Sequence, residues 1–258
     1  MDTIRERYEK VLGRISDAAR SSGRDPDSVR VVVVTKLQPV EIVYEAIAAG
    51  ARFLGENYAD EAVAKKISLQ VERPELLRII EKKAGVRNHS KLQSGVQWHI
   101  IGHVQSRKAR LVCEHFDYLH SLDSLKLAQR LNSYCVEFGR VLPVLLEFNV
   151  SGEQSKSGWP AWDEAHWADL LTELSPIVEF PRLRVEGLMT MPPFFDNPED
   201  ARPFFKRMRK LQEFLARYIP QAGWQELSMG MSGDYEVAVQ EGATWVRIGQ
   251  AILGPRHG

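Results

Sequence analysis

The sequence predicts an α/β fold, a single (β/α)₈ TIM barrel preceded by an extra N-terminal helix. Eight short apolar runs recur along the 258 residues, and stretches with helical spacing lie between most of them. Regular alternation of strand and helix indicates a parallel sheet. Eight such units are typical of a closed barrel, and a doubly wound open sheet is the alternative. The predicted strands are residues 31–35, 52–56, 97–101, 117–122, 143–150, 184–190, 226–229 and 245–249.

The predicted helices follow from apolar residues spaced three or four positions apart. Met1–Arg20 has Ile4, Val11 and Ile15 among charged residues, which predicts an amphipathic helix and not the apolar block of a signal peptide. The same spacing predicts helices within residues 39–50, 123–138, 163–174 and 198–218.

Residues 64–97 fit this alternation less well. They contain a short helical pattern near 74–83 and then the polar stretch KKAGVRNHSKLQSG. We interpret them as a long, mobile excursion between strands two and three. The segment is too short to bury a core of its own, so residues 1–258 are predicted to form one domain.

Composition excludes several classes of partner. Lys and Arg total 34, as do Asp and Glu, so the chain lacks the excess of basic residues that would predict binding to nucleic acid. No apolar run is long enough to span a bilayer, and a membrane is not an expected partner. Cys113 and Cys135 have no metal-like spacing and are interpreted as reduced thiols of a cytoplasmic protein.

The first predicted strand ends in an amine. The run VVVVTKLQP, residues 31–39, places Lys36 between a buried strand and a proline-marked turn. In barrels of this kind the chemistry lies at the carboxyl ends of the strands. Desolvation there disfavours the charged ammonium, and the free amine is nucleophilic toward aldehydes, so Lys36 is a candidate Schiff-base residue. The alternative is that its side chain simply extends into water.

Two further features lie at the ends of strands seven and eight. SMGMSGD, residues 228–234, is a glycine-punctuated turn before a short predicted helix, and Gly249 lets a second backbone run approach the same place. Phosphate sites recur at this position in barrels, although an ordinary tight turn is the alternative.

Arg247 is the third unusual feature at this end of the predicted barrel, because it is a charged residue in a predicted buried strand. If Val246 and Ile248 pack against helices, strand alternation directs the Arg247 guanidinium into the barrel. A buried guanidinium requires either a carboxylate such as Glu56 or a ligand atom. An amine, a phosphate cup and an inward arginine together predict a phosphorylated aromatic aldehyde, and pyridoxal 5′-phosphate (PLP) fits all three.

These residues belong to longer motifs by which the sequence resembles the YggS/PROSC-type pyridoxal phosphate homeostasis proteins, which are related to the barrel domain of alanine racemases. The resemblance covers nearly the whole chain. The motifs are TK at 35–36, GEN at 55–57, WHIIGHVQSRK at 98–108, HSLDSLKLAQRLN at 120–132, LLEFNVSGEQSKSG at 145–158, GLMTMPP at 187–193 and LSMGMSGDYEVAVQEGATWVRIGQAILGPR at 227–256.

The resemblance implies a cofactor site with no catalytic or metal-binding residue. It implies that Lys36 forms the internal aldimine with PLP, that Asn57 and Met189 lie beside the cofactor, and that Arg247 faces the pyridine nitrogen. The phosphate would be held by the remaining residues, Ser228, Met229, Ser232 and Gly249.

The same resemblance favours a carrier over an enzyme. An arginine does not readily give up a proton, so the pyridine stays neutral and is a weak electron sink. The chain ends at Gly258, soon after strand eight, so we expect none of the second domain that completes a racemase. The expected function is cytoplasmic PLP buffering and delivery, by a monomer or weak homodimer that transiently contacts PLP-dependent apoenzymes. The alternatives are a PLP-dependent racemase or lyase, with a base such as His103 or Tyr58, and a cofactor-free Schiff-base aldolase.

Overall fold

The computed structural model describes residues 2–77 and 95–255. Its central feature is a closed barrel of eight parallel strands, in which each strand pairs with the next in sequence and the last pairs with the first. The structure therefore confirms the predicted barrel and not the alternative, an open sheet. The strands are β1 Arg30–Val34, β2 Phe53–Glu56, β3 Gln97–Ile100, β4 Tyr118–Leu122, β5 Leu142–Asn149, β6 Leu183–Met189, β7 Glu226–Ser228 and β8 Trp245–Ile248.

Helices surround the barrel. Within the described ranges they are α1 Ile4–Ser21, α2 Val40–Ala49, α3 Ala59–Glu72, α4 Ala109–His115, α5 Leu125–Glu137, α6 Trp167–Val178, α7 Arg202–Tyr218, α8 Tyr235–Gln240 and α9 Gln250–Leu253. A two-residue strand, Trp159–Pro160, extends the sheet beside β5.

The expectation for residues 64–97 was wrong at its beginning. Residues 64–72 continue helix α3 and form no part of an irregular excursion. Residues 74–77 are helical, in keeping with the short helix predicted near 74–83, and residues 78–94 of the predicted excursion lie outside the described residues.

Strand alternation divides the core into two layers. Val246 and Ile248 of β8 face the helices and belong to the large outer core, whereas Trp245 packs inside the barrel. The inner layer consists of Val32, Phe53, Ile101, Tyr118, Leu145, Met189 and Trp245. The inward direction predicted for Arg247, two residues after Trp245, follows from the same alternation.

Helix α1 supports the last two loops of the barrel. A capping box between Thr3 and Glu6 starts the helix, which packs against α8 and α9. Arg7 Nε donates to the Ile252 carbonyl at 2.6 Å. The N-terminal helix therefore holds the elements that follow β7 and β8. None of the helices in residues 2–77 and 95–255 has the length and apolarity needed to cross a bilayer.

A glycine sets the spacing between β6 and β7. A Cβ placed on Gly187 would lie 1.9 Å from the Glu226 carbonyl oxygen, so a larger residue must separate the two strands. We expect Gly187→Ala to lower the free energy of unfolding by about 3 kcal/mol, measured by urea denaturation.

Gly13→Ala is the matched control, because no atom lies within 4 Å of a Cβ there and the residue is inside α1. Alanine should stabilise this helix by about 0.5–1 kcal/mol. Equal stabilities for the two variants would contradict the assigned contact between β6 and β7.

Candidate functional site

Lys36 lies in a tight turn at the carboxyl end of β1. The Gln38 N–H donates to the Thr35 carbonyl at 3.1 Å, which closes the turn. Lys36 is half-buried and lines a cavity of about 380 Å³, within the range of about 300–1,000 Å³ usual for small-molecule sites. The other lining residues are Val34, Gln38, Gly249, Gln250 and Gly254. Lys36 and Gly249, predicted on separate grounds, thus share one cavity.

The loops after β7 and β8 meet beside this cavity. The Ala251 N–H donates to Ser232 Oγ at 3.3 Å, which joins the two loops. Within the first loop, the Met231 N–H donates to Asp234 Oδ1 at 2.6 Å and the Tyr235 N–H to the Met231 carbonyl at 2.9 Å. The sequence prediction required these two loops to come together, and they do.

Arg247 is buried inside the barrel. Its Nη1 donates to Ser228 Oγ at 2.6 Å and its Nη2 to the Thr190 carbonyl at 2.8 Å. Burial lowers the pKa of Arg247 to about 10, against the opposing charges of Glu147 and Asp234, so the guanidinium stays charged at neutral pH. Glu56, considered as its partner from the sequence, instead binds Thr35 and Lys65.

Ser228 is the first member of a buried hydrogen-bonded chain. Its Oγ lies 2.8 Å from His120 Nδ1, His120 Nε2 lies 2.9 Å from His99 Nδ1, and His99 Nε2 lies 3.4 Å from Gln97 Oε1. A guanidinium only donates, so Ser228 Oγ accepts from Arg247 and can itself donate to His120. With both histidines protonated on Nε2, each donor in the chain then has an acceptor.

Both histidines of this chain are uncharged. Burial, with a smaller contribution from Arg30, lowers the pKa of His99 to about 3. Burial also lowers the pKa of His120 far below its usual range, and the charge of Arg247 adds to that shift. Arg247 is therefore held by a neutral chain whose serine and two histidines are completely buried.

Ser228 and Met229, which were expected at the phosphate, form hydrogen bonds within the barrel. The Ser228 hydroxyl is engaged as described, and the Ser228 carbonyl accepts from the Thr190 N–H at 3.1 Å. The Met229 N–H donates to the Trp245 carbonyl at 3.1 Å. Ser228 and Met229 are both completely buried. Ser232 and Gly249 are the members of the predicted set that lie where the two loops meet.

The other two predicted residues, Asn57 and Met189, lie at different depths in the barrel. Asn57 is half-buried and packs on Gly102, where a Cβ would lie 2.7 Å from Asn57 Cγ. Met189 is completely buried in the inner layer with Val32 and Trp245. Asn57 thus lies at the mouth, and Met189 forms part of the apolar layer beneath it.

The sequence reading missed Glu147, at the end of β5. This residue is 3% exposed, and burial raises its pKa to about 7. Asp123 adds to the shift, whereas Arg247 and His103 oppose it. His103 Nδ1 lies 2.7 Å from Asp123 Oδ2, so an exposed histidine and two carboxyl groups lie at this rim. A charged residue inside the apolar run PVLLEFNV was the signal that could have identified it.

A larger cavity, of about 1240 Å³, lies at the opposite end of the barrel. Its arginines already have partners: Arg30 pairs with Glu226 and stacks on Trp245, and Arg140 donates to the carbonyls of Cys113, Glu114 and Phe116. In this fold the amino-terminal end serves stability rather than chemistry. The smaller cavity at Lys36 is therefore the candidate site.

Comparison with known proteins identifies the family of this chain. The family described as "Alanine racemase, N-terminal domain" matches residues 17–257. A pyridoxal phosphate homeostasis protein of Pseudomonas aeruginosa is 40% identical over 99% of this chain and 97% of its own length. That of Escherichia coli is 37% identical over 99% of this chain and 98% of its own.

The chain belongs to the pyridoxal phosphate homeostasis protein family.

Solved structures extend the comparison to the fold. The structure of PipY from Synechococcus elongatus, solved with PLP bound, is 34% identical with a TM-score of 0.73, over 93% of this chain and 100% of that chain. An alanine racemase of Clostridium difficile shares the fold at 13% identity with a TM-score of 0.62, over 98% of this chain and 56% of that one. The family resemblance inferred from the motifs is confirmed.

The raised pKa of Glu147 makes stability depend on pH. Between its usual pKa of 4.5 and about 7, the folded state retains a proton that the unfolded state releases. Stability therefore falls as pH rises through this window. Glutamine carries no charge, so the free energy of unfolding of Glu147→Gln relative to the wild type should rise by about 3 kcal/mol between pH 4.5 and pH 8.

Urea denaturation at several pH values measures this difference. Glu9→Gln, at an exposed position of α1, is the control and should show no such change. A Glu147→Gln difference that is constant across the pH range would show that the carboxyl is not held protonated.

Proposed function

We propose that this protein binds PLP, holds it as an aldimine on Lys36 and acts in intracellular PLP homeostasis by buffering and delivering the cofactor. The observation that carries the proposal is the cavity that Lys36 shares with Gly249, beside the junction of the loops after β7 and β8. The full-length relatives named as PLP homeostasis proteins, and PipY with PLP bound, support it.

The residues present fit this ligand. Lys36 and Gly249 line the cavity and Ser232 lies at the adjoining loop junction, so a primary amine is available for the aldehyde, and a hydroxyl and a close backbone approach for the phosphate. We assign Asn57 and Met189 to the walls and Arg247 to the pyridine nitrogen. Ser228 and Met229 contribute from beneath, Ser228 by orienting Arg247. PLP supplies an aldehyde that condenses with amines and a ring that accepts electrons.

Arg247 weakens the carbanion chemistry of a bound ring, for which a racemase would need a second base to compensate. Its charge persists at neutral pH, and both of its described hydrogen bonds go to groups that hold it in place. Such a group stabilises a neutral ring nitrogen and supplies no proton to it. Without ring protonation, carbanion chemistry is weakly stabilised, so we infer a protein without substantial racemase activity.

A second candidate function is a PLP-dependent racemase or lyase. The observation that favours it is the rim where Glu147, with a pKa of about 7, lies near a His103–Asp123 pair, because a carboxyl and a histidine are the groups most used for general acid–base catalysis. A cofactor-free aldolase would use the same Lys36 on a phosphorylated sugar. It is disfavoured because the related PipY was solved with PLP bound.

The partners follow from the carrier proposal. We infer a cytoplasmic protein, monomeric or weakly dimeric, that meets PLP-dependent apoenzymes transiently. Neither nucleic acid nor membrane is among the proposed partners, in keeping with equal numbers of basic and acidic residues.

Adduct mapping tests the Lys36 assignment. Borohydride reduction of the protein loaded with PLP should leave the cofactor mass on the peptide that contains Lys36, detected by mass spectrometry. Lys36→Ala should lose both this adduct and the visible absorbance band. Lys156→Ala is the control, since Lys156 lies at the rim but pairs with Glu153 and the Met191 carbonyl. A cofactor adduct that survives in Lys36→Ala would reject the assignment.

Proton exchange tests carrier against enzyme. The protein loaded with PLP is incubated with L-alanine or L-serine in D₂O, and deuterium at the α-carbon is followed by NMR. We expect no steady exchange, because a permanently charged Arg247 leaves the ring nitrogen neutral. Sustained exchange that is lost in His103→Ala would establish the enzyme alternative.

A further inference from the structure

A buried ion cluster lies directly beneath the turn that carries Lys36. Lys65 of α3 is 7% exposed, and its Nζ donates to the Thr35 carbonyl at 2.8 Å, Glu56 Oε1 at 2.9 Å and Glu61 Oε1 at 2.5 Å. The Thr35 hydroxyl also donates to Glu56 Oε1, at 2.7 Å. An ammonium has three N–H donors, so Lys65 is fully satisfied by this cluster.

The cluster forms hydrogen bonds to the turn at two backbone positions. The Thr35 carbonyl accepts from both Lys65 and the Gln38 N–H. Glu61 Oε1 accepts from the Leu37 N–H at 2.8 Å as well as from Lys65. Thr35 and Leu37, on either side of Lys36, are therefore both hydrogen-bonded to side chains of helix α3.

Leu37 explains why such a grip is required. Its φ is 58°, in the left-handed region that a branched hydrophobic residue adopts only at a cost. Its side chain is 57% exposed, so burial does not compensate for this conformation. A residue in such a conformation persists only when its surroundings determine it, and here the hydrogen bond to Glu61 does so.

We propose that Glu61 and Lys65 are positioning residues that hold the turn 35–38 in the conformation that presents Lys36 to the cavity. The functional part of this inference rests on the proposed function. If Lys36 binds PLP, the rate and affinity of attachment depend on two side chains of α3. The geometry of the turn itself does not depend on any ligand.

Helix α3 offers a matched pair of variants. Asp60 and Glu61 are neighbouring carboxylates in its first turn, and each is paired with a lysine. Asp60 pairs with Lys108 at the surface, whereas Glu61 reaches the turn. Asp60→Ala and Glu61→Ala therefore remove the same charge from the same helix end, and only the second removes the acceptor of the Leu37 N–H.

The experiment follows PLP attachment by the visible band and thermal stability by melting temperature. We expect Glu61→Ala to slow attachment and weaken PLP affinity about tenfold, the size expected for losing the charge-assisted hydrogen bond that holds the Leu37 N–H. Asp60→Ala should stay within about twofold of the wild type. Glu61→Gln should restore most of the loss, because its amide oxygen can still accept both hydrogen bonds.

A second variant separates positioning from general destabilisation. Asn tolerates the left-handed region better than Leu, so adding Leu37→Asn to Glu61→Ala should recover part of the attachment rate. Equal attachment rates in Glu61→Ala and Asp60→Ala would overturn the proposal. So would a Glu61→Ala loss that neither Glu61→Gln nor Leu37→Asn recovers.

Hydrogen exchange of the Leu37 amide tests the grip without any cofactor. This amide should be protected in the wild type and in Asp60→Ala, and should exchange at least about tenfold faster in Glu61→Ala. An unprotected Leu37 amide in the wild type overturns the positioning role. A wild type that protects this amide yet forms no Lys36 adduct refutes the proposed function alone, and the exchange result still decides the positioning role.

Discussion

The structure depends on the burial of a permanent positive charge at the end of β8. An isolated guanidinium inside a barrel would cost several kcal/mol, and the cost falls only when its donors have acceptors. Arg247 finds them in Ser228 Oγ, at the end of β7, and in the Thr190 carbonyl, directly after the end of β6. Ser228 then needs His120, and His120 needs His99, so one charge at the mouth dictates the polar residues through the middle of the core.

A second polar assembly faces the helices on the far side of β1. Lys65, Glu56 and Glu61 connect α3 to the end of β1, whereas the Arg247 chain runs inside the barrel. Burial raises the pKa of Glu56 against the opposing charge of Lys65. One cluster fixes the turn with the amine, and the other fixes the cation across the mouth. Rigid support from independent elements is how a site keeps its geometry without a ligand.

Much of this could be predicted from the sequence, and the failures have identifiable causes. The eight strands were recognisable because each is a short apolar run, and the direction of Arg247 followed from alternation in β8. Helix α3 was missed because its buried face is Ala59, Ala62, Lys65 and Leu69, with only one large apolar residue to mark the period. The roles of Lys65 and Glu61 depend on where that helix lies, so they could not be predicted.

Glu147 completes the charge balance of the mouth. Burial would drive this carboxyl to its neutral form, and the charges of Arg247 and His103 limit the rise in its pKa to about 7. Glu147 and Asp234 in turn oppose the lowering of the Arg247 pKa. Above about pH 7 Glu147 therefore adds a negative charge to this balance, and below about pH 7 it adds none. An anionic ligand would therefore meet less negative charge at the mouth below about pH 7 than above it.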